Sequence, residues 1–188
     1  MWSLAGLIEE YLDGCCASGL WEARLARQKF FAPKEKGKVL STFSPAYRSI
    51  DLDEICALSD HLIFNSPQAF GIEQAIKAGI SVGLRINPEL SLGLDPKYDP
   101  CAENSRLGYP LSKVNGDELC GFQGLHFHTL CEQNFDPLLR TWCKVEQHLG
   151  NMLNQFDWIN LGGGHHCTRE DYDRDGLVDL ISMISQKY

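Results

Sequence analysis

The hydrophobic positions of this sequence follow two patterns that alternate along the chain. In residues 3–12, apolar side chains stand at positions 4, 7, 8, 11 and 12, which is the spacing of one helix face. Segments of this kind, with their turn and cap signals, predict six helices: 3–12, 19–29, 48–58, 67–78, 134–154 and 170–187. Short apolar runs between them predict six strands: 15–17, 38–43, 61–65, 80–87, 121–128 and 157–161.

Residues at the ends of these segments indicate where several helices begin and end. Ser18 is predicted to cap the second helix, because its hydroxyl can accept a hydrogen bond from the first turn. Pro67 is predicted to start the fourth helix, and Gly79 to end it. The acidic run 170–173 suits the positive end of the last helix dipole. The polar segment 88–120 holds four of the eight prolines and is predicted to be a loop.

A strand followed by a helix, repeated six times, predicts an α/β protein built from parallel βαβ units. Six units fit either an open doubly wound sheet or part of a (β/α)8 barrel. A complete barrel typically needs about 250 residues. A chain of 188 residues is therefore short of a barrel by about two units, and its length predicts a single domain.

Charge and composition narrow the classes of function. The chain has 17 basic and 25 acidic residues and a net charge of −8, which argues against binding to nucleic-acid phosphates. No apolar run approaches the roughly 18 residues of a membrane span. The eight cysteines form no CxxC pair, and no secretory signal is visible, so they are predicted to be reduced thiols of a cytoplasmic protein.

Two histidines fall near the predicted end of the fifth strand. His126 and His128 are two residues apart, so on a strand their side chains point to the same face. In a barrel, active-site residues gather at the carboxyl ends of the strands. Three interpretations are open: a zinc-binding HxH pair, a flat imidazole that stacks on an aromatic ligand, or two hydrogen-bonded histidines with a structural role.

Three glycines directly follow the sixth strand. Gly162, Gly163 and Gly164 have no Cβ atoms, so their backbone can approach a ligand closely and their N–H groups can converge on an anion. A phosphate-bearing aromatic cofactor would suit both this cluster and the histidine pair. Weaker candidates are Arg85, near the end of the fourth strand, and Ser105–Gly108 in the long loop.

Seven short segments, in this order along nearly the whole chain, resemble the carboxynorspermidine (carboxyspermidine) decarboxylases. These are decarboxylases with an alanine-racemase-like barrel that use pyridoxal 5'-phosphate (PLP), a group that includes ornithine and diaminopimelate decarboxylases. The paired HFH and GGGHH sequences are specific to this branch. The matching segments are Tyr11–Gly14, Phe64–Ser66, Leu84–Pro88, Tyr98–Cys101, Ser105–Gly108, Gly124–His128 and Asn160–His166.

The resemblance implies a fold, a cofactor and a substrate class. Residues 1–188 are expected to form a partial (β/α)8 barrel of the alanine racemase type, without its first strand and without the C-terminal β domain. The implied cofactor is PLP, and the implied reaction is decarboxylation of carboxynorspermidine or carboxyspermidine to norspermidine or spermidine. The partner is then a small polyamine carboxylate, with no nucleic acid and no membrane, and the full-length family is expected to be homodimeric.

The resemblance also assigns roles residue by residue. His128 is implied to stack on the pyridine ring of the cofactor, and Gly162–Gly164 to hold its phosphate. Arg85 and His126 are implied to support the site from behind these residues.

Several features of the family pattern are replaced or missing. Leu130-Cys131 take the place of a Gly-Ser pair in the ornithine and diaminopimelate enzymes, and Cys15-Cys16 stand where those enzymes carry an aspartate. The Schiff-base lysine of the family lies in a Lys-x-Phe motif just before the first residue of this sequence, and no lysine of the chain obviously replaces it. The carboxylate that pairs with the pyridine nitrogen would follow Tyr188. The chain is therefore expected to be an internal fragment with no catalytic residue of its own.

Two other functions stay open at this stage. One is a metal-dependent barrel hydrolase that uses the HxH pair, which predicts stoichiometric zinc in the purified protein. The other is non-catalytic: a truncated gene product or a subunit partner, whose open strand edges would favour association.

Overall fold

The computed structural model of the chain describes residues 2–30, 37–93 and 95–188. The polypeptide forms two compact units, Met1–Leu84 and Arg85–Tyr188, here called the N-terminal unit and the C-terminal unit. The strand Ser81–Asn87 crosses the boundary between them. Across these described ranges, no helix is long and apolar enough to cross a membrane.

The N-terminal unit contains a parallel sheet with helices between its strands. The strands are β1 (Gly14–Ala17), β2 (Val39–Phe43), β3 (His61–Phe64) and β4 (Ser81–Asn87), and the helices are α1 (Ala5–Tyr11), α2 (Leu20–Lys29), α3 (Ser49–Leu58) and α4 (Ile72–Lys77). A short 3-10 helix, Trp2–Leu4, precedes α1. Each strand pairs in parallel with the next one in the chain. Such pairing requires crossover connections, which α2, α3 and α4 supply.

Small residues allow α2 to lie close to the sheet. Ala23 and Ala26 of α2 are buried in one cluster with Ala17 of β1 and Leu40 of β2. Methyl side chains keep the helix-to-sheet distance short, so the first βαβ unit has a dense core.

The C-terminal unit contains the end of β4 and three further strands. These are β5 (Tyr109–Pro110), β6 (Gly124–His126) and β7 (Trp158–Asn160), with helices α5 (Phe135–Leu149) and α6 (Arg174–Lys187). Short 3-10 helices cover Leu111–Lys113 and Gly150–Gln155. In the order of hydrogen-bonded strands, β6 lies between β4 and β7. β5 also pairs with β4 but does not stand in that order. The β4–β5 and β6–β7 pairs are parallel.

Helix α5 has one apolar face, and the core of the C-terminal unit includes that face. Its first turn is capped by Asn134, whose side-chain oxygen accepts a hydrogen bond from the Phe135 N–H (2.7 Å). Five residues at helical spacing form the face, and all are buried: Phe135, Leu138, Trp142, Val145 and Leu149.

The predicted cap of the second helix is wrong, and that of the last helix is confirmed only for one residue. Gly19, not Ser18, is the N-cap residue of α2, and the Ser18 N–H donates to the Glu22 carboxylate instead (2.7 Å). At the other end of the chain, Asp173 accepts a hydrogen bond from the Gly176 N–H (2.9 Å). Only this last residue of the acidic run therefore caps α6.

The predicted start of the fourth helix is also wrong. Residues 67–70 form turns, and α4 begins five residues after Pro67, at Ile72. Gly71 precedes the helix with a φ of 95°, a left-handed conformation that favours glycine. A side chain there would also collide with Leu52, so the local packing, not the proline, sets where the helix starts.

The polar segment after β4 is ordered around one buried carboxylate. Asp99 accepts hydrogen bonds from the Ser91 hydroxyl, from the Gly93 N–H (3.2 Å) and from the Cys101 N–H (2.7 Å). Three chain positions are thereby tied to a single side chain, in place of a regular element.

The same segment also contains β5, where the sequence predicts only a loop. Gly108, with a φ of 89°, lies against the backbone of β4, and a Cβ there would stand 2.6 Å from the carbonyl carbon of Ile86. A glycine is therefore required for Tyr109–Pro110 to pair with β4. A strand of two residues has no apolar pattern by which it could be recognised.

We expect Gly124→Ala to destabilise the chain by about 1–3 kcal/mol, the usual cost of overpacking a buried position. Gly124 lies on β6 directly against the indole of Trp158, and an added Cβ would collide with the ring. The free energy of unfolding in urea measures the effect. Gly116→Ala is the matched control, because nothing lies within 4 Å of a Cβ at that glycine. Equal destabilisation by both variants would contradict the prediction.

Candidate functional site

The glycine loop, Gly162–Gly164, passes very close to the backbone that follows β6. Gly162 has a φ of 73° and Gly164 a φ of 87°, both in the left-handed region that favours glycine. A Cβ at Gly162 would stand 2.8 Å from the Cα of His128, and one at Gly164 would stand 2.6 Å from the carbonyl carbon of Leu130. Both positions therefore require glycine for its conformation and for its lack of a side chain.

Gly163 differs from its neighbours because a Cβ at this position would meet no atom within 4 Å. Its N–H donates to Nδ1 of His128 (3.1 Å), and the Gly162 N–H donates to Oδ1 of Asn160 (2.8 Å). An imidazole whose Nδ1 accepts a hydrogen bond carries its proton on Nε2 when neutral. The loop thus presents open backbone beside a half-buried histidine whose ring it orients.

His126 is the last residue of β6, and only 7% of it is exposed. Its Nδ1 donates to the carbonyl oxygen of Asn160 in β7 (3.2 Å). Because β6 ends at His126, the strand alternation predicted to place both histidines on one face does not extend to His128. Each histidine is instead hydrogen-bonded to the segment formed by β7 and the glycine loop.

Arg85, in β4, is a buried cation next to both histidines. It is 4% exposed and donates to the carbonyl oxygen of His128 (3.2 Å). Burial lowers the pKa of Arg85 to about 10, so it stays charged at neutral pH. Burial, followed by the charge of Arg85, lowers the pKa of His126 to about 4 and also lowers the pKa of His128. Both imidazoles are therefore neutral at pH 7.

This arrangement fits a ligand that combines an aromatic ring with an anionic group. The neutral imidazole of His128 offers a flat, uncharged face on which a ring can stack. The space at Gly163, which a side chain would fill, allows an anion to reach the backbone. A phosphate-bearing aromatic cofactor therefore fits the residues that are present.

The structure brings together the six residues that the sequence indicates for cofactor binding, all within the C-terminal unit: Arg85, His126, His128, Gly162, Gly163 and Gly164. Their individual roles toward a cofactor stay predictions. The weaker candidate Ser105–Gly108 forms a turn, in which the Ser105 hydroxyl oxygen accepts from the Leu107 N–H (3.2 Å).

Sequence patterns assign no role to two polar residues that the structure places here. Asn160 orients the first glycine of the loop, and its signal is an asparagine two residues before a glycine, as in an Asx turn. Gln133, 6% exposed, is hydrogen-bonded to the glycine loop and to two other segments. No motif indicates this glutamine, because its partners are distant in sequence.

The residues that depart from the family pattern also have defined places. The backbone of Leu130-Cys131 lies beside Gly164, so this replaced pair still contacts the glycine loop. Cys15 and Cys16 lie in β1. Burial is the main cause that raises the pKa of the Cys15 thiol to about 11.

The metal-dependent hydrolase interpretation receives no support from the geometry. In residues 2–30, 37–93 and 95–188, no group of three or more His, Cys, Asp or Glu side chains is placed to hold a metal ion.

Two lysines make structural contacts: Lys38 donates to carbonyls near the end of α1 (2.6 Å each), and Lys144 donates to the carbonyl of Glu89 (2.7 Å). Lys34 and Lys36 lie outside the described residues.

Comparisons with known proteins agree with the resemblance found in the sequence. No model of a known protein family matches the chain. It is 39% identical over 182 residues to a carboxynorspermidine/carboxyspermidine decarboxylase from Campylobacter jejuni, covering 97% of this chain and 46% of that protein. It is 38% identical over 179 residues to a carboxyaminopropylagmatine decarboxylase from Synechocystis sp., covering 94% of this chain and 45% of that protein. The resemblance to the carboxynorspermidine decarboxylases is therefore confirmed.

Solved structures confirm the predicted fold class. The crystal structure of carboxynorspermidine decarboxylase from Campylobacter jejuni, complexed with norspermidine, matches with a TM-score of 0.83 and 36% identity over 100% of this chain and 47% of that chain. A diaminopimelate decarboxylase, 19% identical, shares the fold with a TM-score of 0.72 over 98% of this chain and 46% of its own. The α/β fold of the alanine racemase type is thus confirmed. The chain spans about half the length of these relatives.

We expect the His126 imidazole to titrate with a pKa of about 4, because burial and the charge of Arg85 both disfavour the imidazolium. An NMR titration of the ring Cε1–H signal measures this value, and His126→Asn assigns the signal. A midpoint near the ordinary value of about 6.5 would contradict the prediction. In the unfolded chain the His126 imidazole takes up a proton near pH 6.5. The contribution of neutral His126 to the free energy of unfolding is therefore fully present above pH 6.5 and is lost as the pH falls toward 4.

Proposed function

We propose that this chain supplies the cofactor-binding part of a PLP-dependent decarboxylase that converts carboxynorspermidine or carboxyspermidine to norspermidine or spermidine. One observation carries the proposal: the open backbone of Gly163 donates to the Nδ1 of a neutral His128 (3.1 Å). A ligand with a phosphate and an aromatic ring needs these two features side by side. The names of the two relatives at 38–39% identity support decarboxylation as the class of reaction.

Residues of the C-terminal unit would hold PLP. The glycine loop would receive the phosphate at Gly163, and the ring of His128 would stack on the pyridine. Arg85 would fix His128 through its carbonyl oxygen, and His126 would fix β7 through the carbonyl oxygen of Asn160. When bound, PLP supplies an electron sink for the carbanion that remains after loss of carbon dioxide.

The proposed substrate class rests on what the relatives are named for. These names are carboxynorspermidine, carboxyspermidine and carboxyaminopropylagmatine, each a polyamine-like base that carries a carboxylate. A norspermidine complex of the Campylobacter enzyme supports the same class. The net charge of −8 on this chain suits a cationic substrate. We therefore propose a carboxylated polyamine as the substrate and treat the guanidino analogue as a variant of the same class.

Two further proposals accompany this function. The eight cysteines are all free thiols, which supports a cytoplasmic location, where thiols are kept reduced. The complete enzyme is proposed to be a homodimer, as the resemblance implies. The part proposed for these 188 residues is binding and orientation of the cofactor.

We expect Gly163→Ala to weaken PLP binding by at least about tenfold without a measurable change in stability. The added methyl group enters open space in the protein alone, but it occupies the place proposed for the phosphate. Titration of cofactor fluorescence gives the Kd, and urea unfolding gives the stability. Gly116→Ala is again the control, since its Cβ also meets no neighbour. Wild-type affinity in Gly163→Ala would show that the glycine loop does not hold the phosphate.

We expect the purified 188-residue chain, saturated with PLP, to release no carbon dioxide from carboxynorspermidine. The physical reason is that the ammonium groups of Lys38, Lys144 and Lys187 are held by other groups. Lys38 donates to carbonyls near the end of α1, Lys144 to the carbonyl oxygen of Glu89, and Lys187 to the Glu146 carboxylate. Carbon dioxide release and chromatography of norspermidine measure turnover, and His128→Ala gives the background rate. Turnover above that background would show that the chain carries a catalytic group of its own, and the prediction would fail.

A further inference from the structure

Gln133 joins the glycine loop to the chain between β6 and α5. Its N–H donates to the carbonyl oxygen of Gly164 (3.2 Å), and its carbonyl oxygen accepts from the His166 N–H (3.2 Å). These bonds form an isolated parallel bridge between Gln133 and His165. The end of the glycine loop is thus attached to the backbone of one residue.

The side chain of Gln133 fixes that backbone in place. Its Nε2 donates to the carbonyl oxygen of Leu92 (2.6 Å), and its Oε1 accepts from the Cys131 N–H (3.3 Å). Both ends of a buried amide are therefore paired, and movement of Gln133 would leave buried polar groups without partners.

The two residues that flank Leu92 in the sequence are themselves fixed by hydrogen bonds. The Ser91 hydroxyl and the Gly93 N–H, which flank it, both donate to the same carboxylate oxygen of Asp99. Gln133 consequently connects the glycine loop to an ordered part of the segment after β4, not to a free loop end.

We infer that Gln133 is a positioning residue for the glycine loop, which it holds in the geometry that receives the anionic group of the ligand. The inference rests on the proposed function in so far as that group is the phosphate of PLP. Pre-forming the loop removes the entropic cost of ordering it when the ligand binds. Gln133 acts through its backbone hydrogen bonds to Gly164 and His166, so its loss affects phosphate recognition more than recognition of the pyridoxal ring.

The test variant is Gln133→Met, which keeps the length of the side chain and removes its hydrogen bonds to Leu92 and Cys131. The matched control is Gln147→Met, which replaces an exposed glutamine of α5 in the same unit. The first readout is the ratio of the Kd for pyridoxal to the Kd for PLP, since the two ligands differ only by the phosphate. The second, which needs no cofactor, is the hydrogen-exchange rate of the His166 N–H. Gln133→Glu, which keeps the acceptor for Cys131, serves as a second variant should Gln133→Met fold poorly.

We expect the pyridoxal-to-PLP ratio to fall by about tenfold in Gln133→Met and to stay at the wild-type value in Gln147→Met. The His166 N–H should exchange about tenfold faster in Gln133→Met only. An unchanged ratio with wild-type binding of PLP would overturn the inference and leave the proposed function intact. Failure of the wild-type chain to bind PLP would instead overturn the proposed function. In that case, an unchanged hydrogen-exchange rate of the His166 N–H in Gln133→Met would overturn the positioning role separately.

Discussion

The close approach of two backbones is the constraint on which the candidate site depends. The glycine loop passes so near the chain after β6 that no side chain fits at Gly162 or Gly164. Both glycines adopt left-handed conformations, and the Gly163 N–H is thereby directed at the ring of His128. Larger residues at the two outer positions would need both a strained backbone and a wider gap between these segments. Loop shape and histidine orientation are therefore one structural feature, because neither can change without the other.

Electrostatics strengthens the same arrangement. A buried guanidinium at Arg85 is costly unless it is hydrogen-bonded, and the carbonyl oxygen of His128 supplies one such bond. The burial of His126 and His128, followed by the positive charge of Arg85, disfavours a proton on either imidazole. Two neutral rings beside one cation are easier to bury than two imidazolium groups beside it. The lowered pKa of His128 thus favours a flat uncharged ring next to the open backbone at Gly163.

The sequence predicted the alternation of strands and helices, and it predicted the six residues that meet at the site. Parallel strands that are buried appear as short apolar runs, which explains why six of the seven strands in the described part of the chain were recognisable. The missed features depend on contacts between distant residues. The pairing of Tyr109–Pro110 with β4 relies on Gly108, and the start of α4 relies on Gly71 beside Leu52. Gln133 could not be found either, because its partner Leu92 is 41 positions away.

The hydrogen bonds described for the site all run between residues of the C-terminal unit. Binding can therefore be separated from the covalent chemistry in physical terms. Hydrogen bonds to a charged phosphate each contribute roughly 1.5–3 kcal/mol, and ring stacking contributes about 1 kcal/mol. These gains are offset by the roughly 4–15 kcal/mol that association costs in lost freedom of motion, so a loop that is already ordered before the ligand binds favours affinity. Recognition of the proposed cofactor would therefore depend on the shape of the glycine loop and the orientation of His128, whereas a covalent bond would add residence and reactivity.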